Sequence, residues 1–314
     1  MESEGARPSG SVIRVEGVSH VYGGGAHALR GISLEIGNGL FGLLGPNGAG
    51  KSTLMRVLCT LLVPTQGRAS VLGHDVVGER AAVRASIGYL PQEFGAWRLH
   101  RVEEVLDTLA ALSGVPDADR RERVSQVLKM VGLEEVAHRK VKALSGGMVR
   151  RLGVAQALIH SPDVLVVDEP TVGLDPEERI RFRELMAELG EQKTVVLSTH
   201  IVADLGTACR DLALLDAGEV VFHGSPTELL QRAEGRVFEC RTGADGAEQL
   251  GADVEIVSRS SEGDGLRIRG VTGQEGLPAG AAAVEKPTLE EAYLAFMMSR
   301  GRKGVALESG EDAA

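Results

Sequence analysis

The sequence predicts an α/β fold organised around a mainly parallel sheet. Short apolar runs typical of strands buried on both faces recur at Leu40–Leu44, Val164–Val167 and Thr194–Leu197. The segment 93–141 between the first two runs instead has helical periodicity. A glycine-rich turn also joins the first run to a helix that opens at Thr53. Strands that alternate with helices pair in parallel because each connection crosses over the sheet.

Composition limits the classes of function. The 314 residues are 43% hydrophobic and 25% charged, which is typical of a globular protein with room for one large domain and an appendage. There are 34 Lys and Arg against 44 Asp and Glu, a net charge of −10, so broad binding to a phosphate backbone is disfavoured. Aromatic residues are only 3%, too few for base-stacking platforms, and we expect no nucleic-acid partner.

Cysteine usage and hydropathy predict a cytoplasmic location. Cys59, Cys209 and Cys240 stand alone, without metal-ligand spacing or a disulfide pattern, which favours a reducing compartment. The most apolar interior run, Leu54–Val63, is too short to span a bilayer and contains Arg56. The first ten residues lack the apolar core of a signal peptide. We therefore expect any membrane role to depend on a partner.

The glycine-rich turn matches a phosphate-binding pattern. Gly45–Ser52 reads GPNGAGKS, a full match to G-x-x-x-x-G-K-[ST]. Glycines let successive N–H groups form an anion-binding nest, and the next helix adds its unpaired donors and positive dipole end. Lys51 would reach the β- and γ-phosphates, and the Ser52 hydroxyl would ligate Mg²⁺. The candidate triphosphate-binding residues here are Gly45, Pro46, Asn47, Gly48, Ala49, Gly50, Lys51, Ser52 and Thr53.

Two adjacent acids end the run Val164–Val167. Buried strands rarely end in paired carboxylates for packing alone, because each charge needs a partner or a metal. Asp168 suits Mg²⁺ coordination, and Glu169 would accept a proton from the attacking water or orient it. The alternative is a capping acid pair at a loop, which the glycine-rich turn makes the weaker interpretation.

A third motif opens a helix. Leu144-Ser145-Gly146-Gly147-Met148 precedes apolar residues at helical spacing. Ser145 is a natural N-cap, and Gly146 and Gly147 would expose helix-start N–H groups to an anion. Alone, this pattern indicates only a good helix start. Its meaning comes from its position between the glycine-rich turn and the acid pair.

The ordered set of motifs resembles the ATP-binding subunits of ABC (ATP-binding cassette) transporters, over roughly Val12 to Ser225. The motifs are, in order, the Gly45–Ser52 turn, Gln92 after a strand, Leu144–Gly147, Asp168-Glu169, Gly173-Leu174-Asp175-Pro176, and His200 after a strand. The resemblance implies a P-loop NTPase with a mainly parallel sheet, an antiparallel β subdomain and a helical insertion. Beyond it, short strand patterns and a helix after Pro287 predict a small C-terminal α+β extension.

The resemblance implies roles for two residues outside the turn. Tyr22 matches the aromatic residue that stacks on adenine, although it could simply pack on its own glycine turn. Gln92 matches the residue that links Mg²⁺ to the helical insertion, although it could be an ordinary polar strand end. The implied magnesium ligands are therefore Ser52, Gln92 and Asp168.

The remaining matches imply a site shared between two subunits. Ser145–Gly147 match the signature that touches the γ-phosphate of ATP held by the opposite subunit, and Asp175 matches the cross-dimer contact loop. His200 matches the γ-phosphate sensor, although a histidine there could instead cap the next helix. The implied catalytic residues are Glu169, His200 and Lys51.

The chain divides into four expected parts. They are a disordered leader over 1–10, an ABC nucleotide-binding domain over 11–235, a C-terminal accessory domain over 236–300 and a flexible tail over 301–314. Within the second part, the helical insertion covers about 93–160. Trp97 lies in this insertion, in the segment that faces the membrane subunit in the family, although it could be a core residue.

One departure and one further match refine the family branch. Met148 replaces the glutamine usual at the end of the signature, but the Ser-Gly-Gly donors are intact, so hydrolysis is expected to be retained. Pro287–Leu294 resembles the closing helix of ABC subunits that partner separate exporter-type permeases, including drug and antibiotic export systems. This match favours export without naming the cargo.

The sequence therefore predicts an ATPase that dimerises on Mg·ATP, with itself or a similar chain. It would power a separate integral membrane permease, with this subunit peripheral on the inner face of the membrane. A non-transport ABC ATPase acting on nucleic acid or the ribosome is the alternative, which a single phosphate loop and the lack of a long heptad run disfavour. A regulatory subunit that switches a membrane complex without moving cargo stays open.

Overall fold

The computed structural model describes residues 11–95, 97–243, 250, 253–262, 265–274 and 276–302. The expected leader (1–10) and residues 303–314 of the expected tail lie outside this range. The chain separates into two compact units. The first contains the residues up to His200 together with Asp204–His223, and the second contains Ile201–Ala203 and the chain from Gly224 onward.

A six-stranded sheet forms the centre of the first unit. Its strands are β3 (Leu40–Leu44), β6 (Ile87–Leu90), β7 (Val164–Asp168), β8 (Thr194–Thr199), β9 (Asp211–Asp216) and β10 (Glu219–Gly224), in the order β10-β9-β3-β8-β7-β6. The five strands from β9 to β6 pair in parallel. Every residue of β3, β7 and β8 is buried, as expected for strands covered on both faces. The predicted mainly parallel sheet is confirmed.

The first unit also contains the antiparallel sheet implied by the resemblance. Its strands are β1 (Ile13–Val21), β2 (His27–Ile36), β4 (Gln66–Val71) and β5 (His74–Asp75), in the order β2-β1-β4-β5. His20 and Val21 continue β1 because they pair with Leu29 and His27 of β2.

Helices connect the strands of the central sheet. They are α1 (Lys51–Leu58), α2 (Arg80–Ser86), α3 (Val102–Leu112), α4 (Asp117–Met130), α5 (Gly146–Leu158) and α6 (Pro176–Gln192). The helical periodicity beyond residue 93 is real: α3 buries Val102, Val105 and Leu106. Between α3 and α4, Gly114 has a φ of 80° and Pro116 is the N-cap of α4. These two residues therefore separate α3 from α4.

The second unit is a small α+β structure. It contains α7 (Pro226–Arg232), β11 (Val237–Thr242), β12 (Val254–Glu262), β13 (Gly265–Thr272), β14 (Ala282–Ala283) and α8 (Leu289–Ser299), with strand order β12-β13-β11-β14. α8 packs against α7, β11 and β13 and buries Ala292, Tyr293, Phe296 and Met297. Its apolar stripe is therefore packing surface within the chain.

Two further expectations concern the membrane and the cysteines. Among the residues that the structure describes, no helix combines the length and the apolar character needed to cross a bilayer. Cys59, Cys209 and Cys240 are all buried thiols without a disulfide. Burial raises the pKa of the Cys209 thiol to about 11, so this thiol is protonated near neutral pH.

Candidate functional site

The turn between β3 and α1 is closely fitted to its surroundings. A Cβ atom at Gly45 would lie 2.3 Å from the carbonyl oxygen of Leu215, and one at Gly50 would lie 2.5 Å from that of Ala28. Gly50 also has a φ of 108°, which favours glycine. Hydrogen bonds fix the turn at Ala49, whose N–H donates to Pro46 and whose carbonyl accepts from Gly218 N. The turn therefore delivers the N-terminus of α1 in one conformation.

Lys51, the first residue of α1, is almost fully buried. Its Nζ donates to the carbonyl oxygens of Gly45 at 2.7 Å and Pro46 at 3.2 Å. The same Nζ lies 3.0 Å from Glu169 Oε1, and both side chains are less than 10% exposed. The lysine predicted to bind phosphate and the carboxylate predicted to act on water are thus a buried ion pair.

Glu169 also contacts His200. The second carboxylate oxygen, Oε2, lies 3.1 Å from His200 Nδ1. The backbone of Glu169 has a φ of 44°, which is unfavourable for a residue with a side chain. Its N–H is held by both the carbonyl and the Oγ of Ser198 at 3.1 Å. His200 is therefore a partner of Glu169, and the three residues predicted as catalytic form one connected line.

Asp168 lies at the end of β7 and is 1% exposed. One carboxylate oxygen accepts a hydrogen bond from Ser198 Oγ at 2.5 Å. Burial first, and then the negative charge of Asp168, raises the pKa of Tyr89 on β6 to about 12. Ser52 is half-buried on α1, which packs against β7. The elements that carry Ser52 and Asp168, two of the three predicted magnesium ligands, are therefore in contact.

Tyr22 reaches the beginning of α1. Its hydroxyl lies 3.2 Å from Thr53 Oγ1, and its ring meets the His20 ring edge to face at 4.7 Å. The tyrosine is 37% exposed. A partly exposed aromatic residue therefore lies beside the beginning of α1.

The structure does not bring Gln92 to this cluster. Its side chain is exposed, and no contact among the described residues joins it to Ser52 or Asp168. Its carbonyl instead accepts a hydrogen bond from Arg150 of α5.

Trp97 is 45% exposed, with its ring 5.9 Å from that of His100, so it is not a core residue.

The signature turn lies at the N-terminus of α5. Ser145 is the N-cap and accepts from Met148 N at 3.2 Å. Ser145 and Gly146 are exposed, whereas a Cβ atom at Gly147 would lie 2.3 Å from Glu178 Oε2. In the described part of the chain, no hydrogen bond or ion pair joins Ser145–Gly147 to the phosphate-binding turn. Within one chain, the signature and the turn are separate.

Asp175 and two residues that were not predicted from the sequence, Glu178 and Arg151, lie near the signature. Asp175 is the N-cap of α6 and accepts from Glu178 N at 2.8 Å. The Glu178 carboxylate lies 3.4 Å from Arg151 Nη2, and another Arg151 nitrogen donates to Val131 and Gly132. In the sequence, an acid three residues after Asp175 indicates the start of a helix. It does not indicate that this acid, Glu178, contacts Arg151.

Comparison with known proteins decides the family. The ABC transporter family matches residues 29–172. The daunorubicin resistance ATP-binding protein DrrA3 of Streptomyces coeruleorubidus is 34% identical over 303 residues, which is 90% of this chain and 95% of that protein. The chain belongs to the ABC transporter ATP-binding proteins. The predicted family and ATPase activity are confirmed.

Two other relatives match a shorter part of this ABC ATPase. The linearmycin resistance ATP-binding protein LnrL of Bacillus subtilis is 34% identical over 71% of this chain and 72% of its own length. The Nod factor export ATP-binding protein I of Ralstonia nicotianae is 38% identical over 70% of this chain and 68% of its own length.

Solved structures support the same fold. CbiO1 of Clostridium perfringens, part of the transporter complex cbiONQ, has a TM-score of 0.66 and 28% identity, covering 71% of this chain and 92% of that one. A second structure is the dimeric, post-hydrolysis state of the ATP-binding cassette MJ0796 bound to ADP and Pi. It has a TM-score of 0.61 and 27% identity, and the match covers 68% of this chain and 98% of that one. The P-loop NTPase fold is confirmed, and this ABC ATPase binds ATP.

Proposed function

We propose that this ABC ATPase hydrolyses Mg·ATP in a site that two subunits share, and that hydrolysis powers export through a separate membrane permease. One observation carries the proposal. Lys51, Glu169 and His200 are connected side by side at the phosphate-binding turn. Ser145 and Gly146 of the signature turn are exposed, and no hydrogen bond or ion pair among the described residues joins the signature to that line. A second subunit would therefore have to supply the signature.

The turn and Lys51 would bind the triphosphate. The backbone N–H groups between Gly45 and Ser52, together with the start of α1, would form the anion site. Phosphate oxygens are stronger partners for an ammonium group than the carbonyls of Gly45 and Pro46. Tyr22 would cover the adenine from the mouth of the site.

The residues at the ends of β7 and α1 fit a magnesium ion. A hydroxyl and a carboxylate, from Ser52 and Asp168, are the oxygen ligands that Mg²⁺ prefers. Ser198 Oγ binds Asp168 Oδ1 and orients the carboxylate, which has further acceptor capacity. Gln92 would join this set only after moving toward it. Bound Mg²⁺ would neutralise charge on the phosphate oxygens.

Glu169 is the proposed general base. Its carboxylate is held on both sides, by Lys51 at 3.0 Å and by His200 at 3.1 Å, and its strained backbone fixes where it points. It would accept a proton from the attacking water. Because His200 Nδ1 is engaged by Glu169, Nε2 is the ring nitrogen that would contact the γ-phosphate.

The partners are proposed from the shared site and from the relatives. The MJ0796 structure is dimeric and CbiO1 is part of a transporter complex, which supports pairing with a second ABC subunit and docking on a permease. Relatives named for Nod factor export and for antibiotic resistance support export. The subunit would then lie at the inner face of the membrane, held there by the permease.

The variant Glu169→Gln tests this proposal. It keeps the shape of the side chain but removes the base, so it should bind Mg·ATP and accumulate as an ATP-bound dimer with hydrolysis nearly abolished. Light scattering with and without Mg·ATP, together with phosphate release, measures both effects. A variant that hydrolyses ATP at the wild-type rate would remove Glu169 as the base. A variant that is saturated with ATP yet stays monomeric would remove the shared site.

A further inference from the structure

We propose that Asp204 is a positioning residue that holds Glu169 and His200 at their working separation. This inference rests on the proposed roles of those two residues. Asp204 lies in a short 3-10 helix, Val202–Leu205, and neither the motifs nor the family resemblance singled it out.

Asp204 is a buried carboxylate with two hydroxyl donors. It is 3% exposed, and its Oδ2 accepts from Thr199 Oγ1 at 2.8 Å and from Thr171 Oγ1 at 2.5 Å. Both threonines are 1% exposed. A buried charge is costly unless it is bound by such donors, so this arrangement is strongly specified.

The two threonines belong to the two segments that carry the proposed catalytic groups. Thr199 directly precedes His200, and Thr171 follows Glu169 after one proline. One carboxylate oxygen therefore ties the end of β8 to the loop that follows β7. Ser198 also ties these segments together, because its carbonyl and its Oγ both accept from Glu169 N.

Packing fixes the position of the carboxylate. The neighbouring Leu205 is 1% exposed, and its side chain lies against Gly42 of β3. A Cβ atom at Gly42 would lie only 2.7 Å from Leu205 Cδ1, so the glycine makes room for this close approach. Asp204 is thus anchored on the central sheet and acts as a rigid reference for both threonines.

This geometry assigns Asp204 an effect on the chemical step. It touches neither Lys51 nor the phosphate-binding turn in the contacts of the described residues, so ATP binding does not depend on it directly. Displacement of a catalytic group by about 1 Å can reduce a rate by about a hundredfold. Loss of the Asp204 bonds should therefore lower kcat while leaving KM for ATP nearly unchanged.

A pair of valine variants on one strand tests the inference. Thr199→Val removes the hydroxyl that binds Asp204. Thr194→Val removes a buried hydroxyl at the other end of β8, 3.5 Å from Gly37 O and Asn38 Oδ1. We expect Thr199→Val to lower kcat by about tenfold with KM for ATP changed less than about twofold, because the catalytic pair is misaligned. Thr194→Val should leave kcat unchanged.

Substitutions of Asp204 separate positioning from charge. The amide oxygen of Asp204→Asn can still accept both hydroxyl bonds, so this variant should keep kcat within about threefold of wild type. Asp204→Leu should lose at least about tenfold in kcat, because no acceptor is left. Equal kcat for the two threonine variants would overturn the inference. So would an Asp204→Asn variant that binds ATP normally but is as inactive as Asp204→Leu.

The threonine pair decides the question if Asp204→Leu does not fold. The proposed function fails separately, when Glu169→Gln retains turnover. The positioning role fails when Glu169→Gln is inactive but Thr199→Val turns over as fast as Thr194→Val.

Discussion

Among the residues that the structure describes, each of the two units contains one buried glutamate, and each is paired with a cation. Glu169 of the first unit is 6% exposed and binds Lys51 and His200. Glu291 of the second unit is 2% exposed and accepts two hydrogen bonds from Arg269. By burial and pairing alone, these two residues are equivalent.

The backbone conformation distinguishes Glu169 from Glu291. Glu291 is the third residue of α8, where it completes a capping box by accepting from Thr288 N at 2.7 Å. Glu169 instead has a φ of 44° at a strand end, next to a glycine-rich turn. Strain of this kind persists where the surrounding structure imposes it, and it concentrates at functional sites. A buried ion pair alone is therefore not sufficient to indicate a functional site. The additional indications are the strained backbone of Glu169 and the anion-binding turn beside it.

Turnover should distinguish the two glutamates most strongly. Glu169→Gln should lower kcat for ATP hydrolysis at least about a hundredfold, because a general base is lost. Glu291→Gln should remain within about twofold of wild type, because its side chain caps α8 and binds Arg269 within the second unit. Steady-state phosphate release measures both. A large loss of kcat in Glu291→Gln, with the protein folded, would break the distinction.

The free energy of unfolding should be reduced more by Glu291→Gln than by Glu169→Gln, the opposite of the order expected for kcat. Glu291→Gln replaces charge-assisted bonds to Arg269 by neutral ones and should lower the free energy of unfolding by about 2 kcal/mol. In Glu169→Gln, the amide can still accept from Lys51 and donate to His200, and Lys51 keeps its bonds to the carbonyl oxygens of Gly45 and Pro46. The Lys51 charge therefore stays hydrogen-bonded, and the cost should stay below about 1 kcal/mol. Urea unfolding of the full chain compares them. A larger cost for Glu169→Gln would contradict the assignment of Glu291 as the structural residue.

The stabilisation by Glu291 should depend on pH. Burial acts to raise the pKa of Glu291, but hydrogen bonds from Arg269 and from the Thr288 amide outweigh it, so the pKa is lowered. A lowered pKa in the folded state stabilises at pH values above the unfolded pKa of about 4.3. That stabilisation is lost as pH falls through the folded value. The stability difference between wild type and Glu291→Gln should therefore be constant near neutral pH and shrink below about pH 4, and a constant difference would contradict the pairing.

The signature glycines offer a smaller and closely matched test. Gly147→Ala would place a methyl group against Glu178, which is held by Arg151 and Arg181, so we expect a loss of about 1 kcal/mol in stability. Gly146→Ala meets no atom within 4 Å and should be neutral or slightly stabilising in the first turn of a helix. Thermal unfolding of both variants measures the difference. Equal melting temperatures would show that Glu178 moves aside freely.

Contiguous motifs explain what the sequence could predict. β3, the turn and α1 follow one another within Leu40–Leu58, and the acid pair ends a continuous apolar strand, so local patterns were enough. α2 and β10 were missed because they have only seven and six residues and bury one residue each. The implied role of His200 came from family resemblance, and its contact with Glu169 needed the structure.

Contacts between distant polar residues could not be predicted. Asp204 binds Thr171, 33 positions earlier in the chain, and nothing in the local sequence indicates that either is buried. The same holds for Ser198, which lies in an apolar strand and contacts both Asp168 and Glu169. These partners depend on the register of β7 and β8, where Asp168 lies opposite Ser198.

Complementation between two inactive variants tests the shared site most directly. Lys51→Ala removes the grip on phosphate, and Gly146→Arg fills the exposed signature turn, where the structure leaves space within the subunit. Each variant alone should be inactive. Mixed in equal amounts, half of the dimers would contain one intact site, and turnover should recover to about a quarter of the wild-type rate. An inactive mixture in which the chains still pair, or wild-type turnover by Gly146→Arg alone, would contradict a site completed by a second subunit.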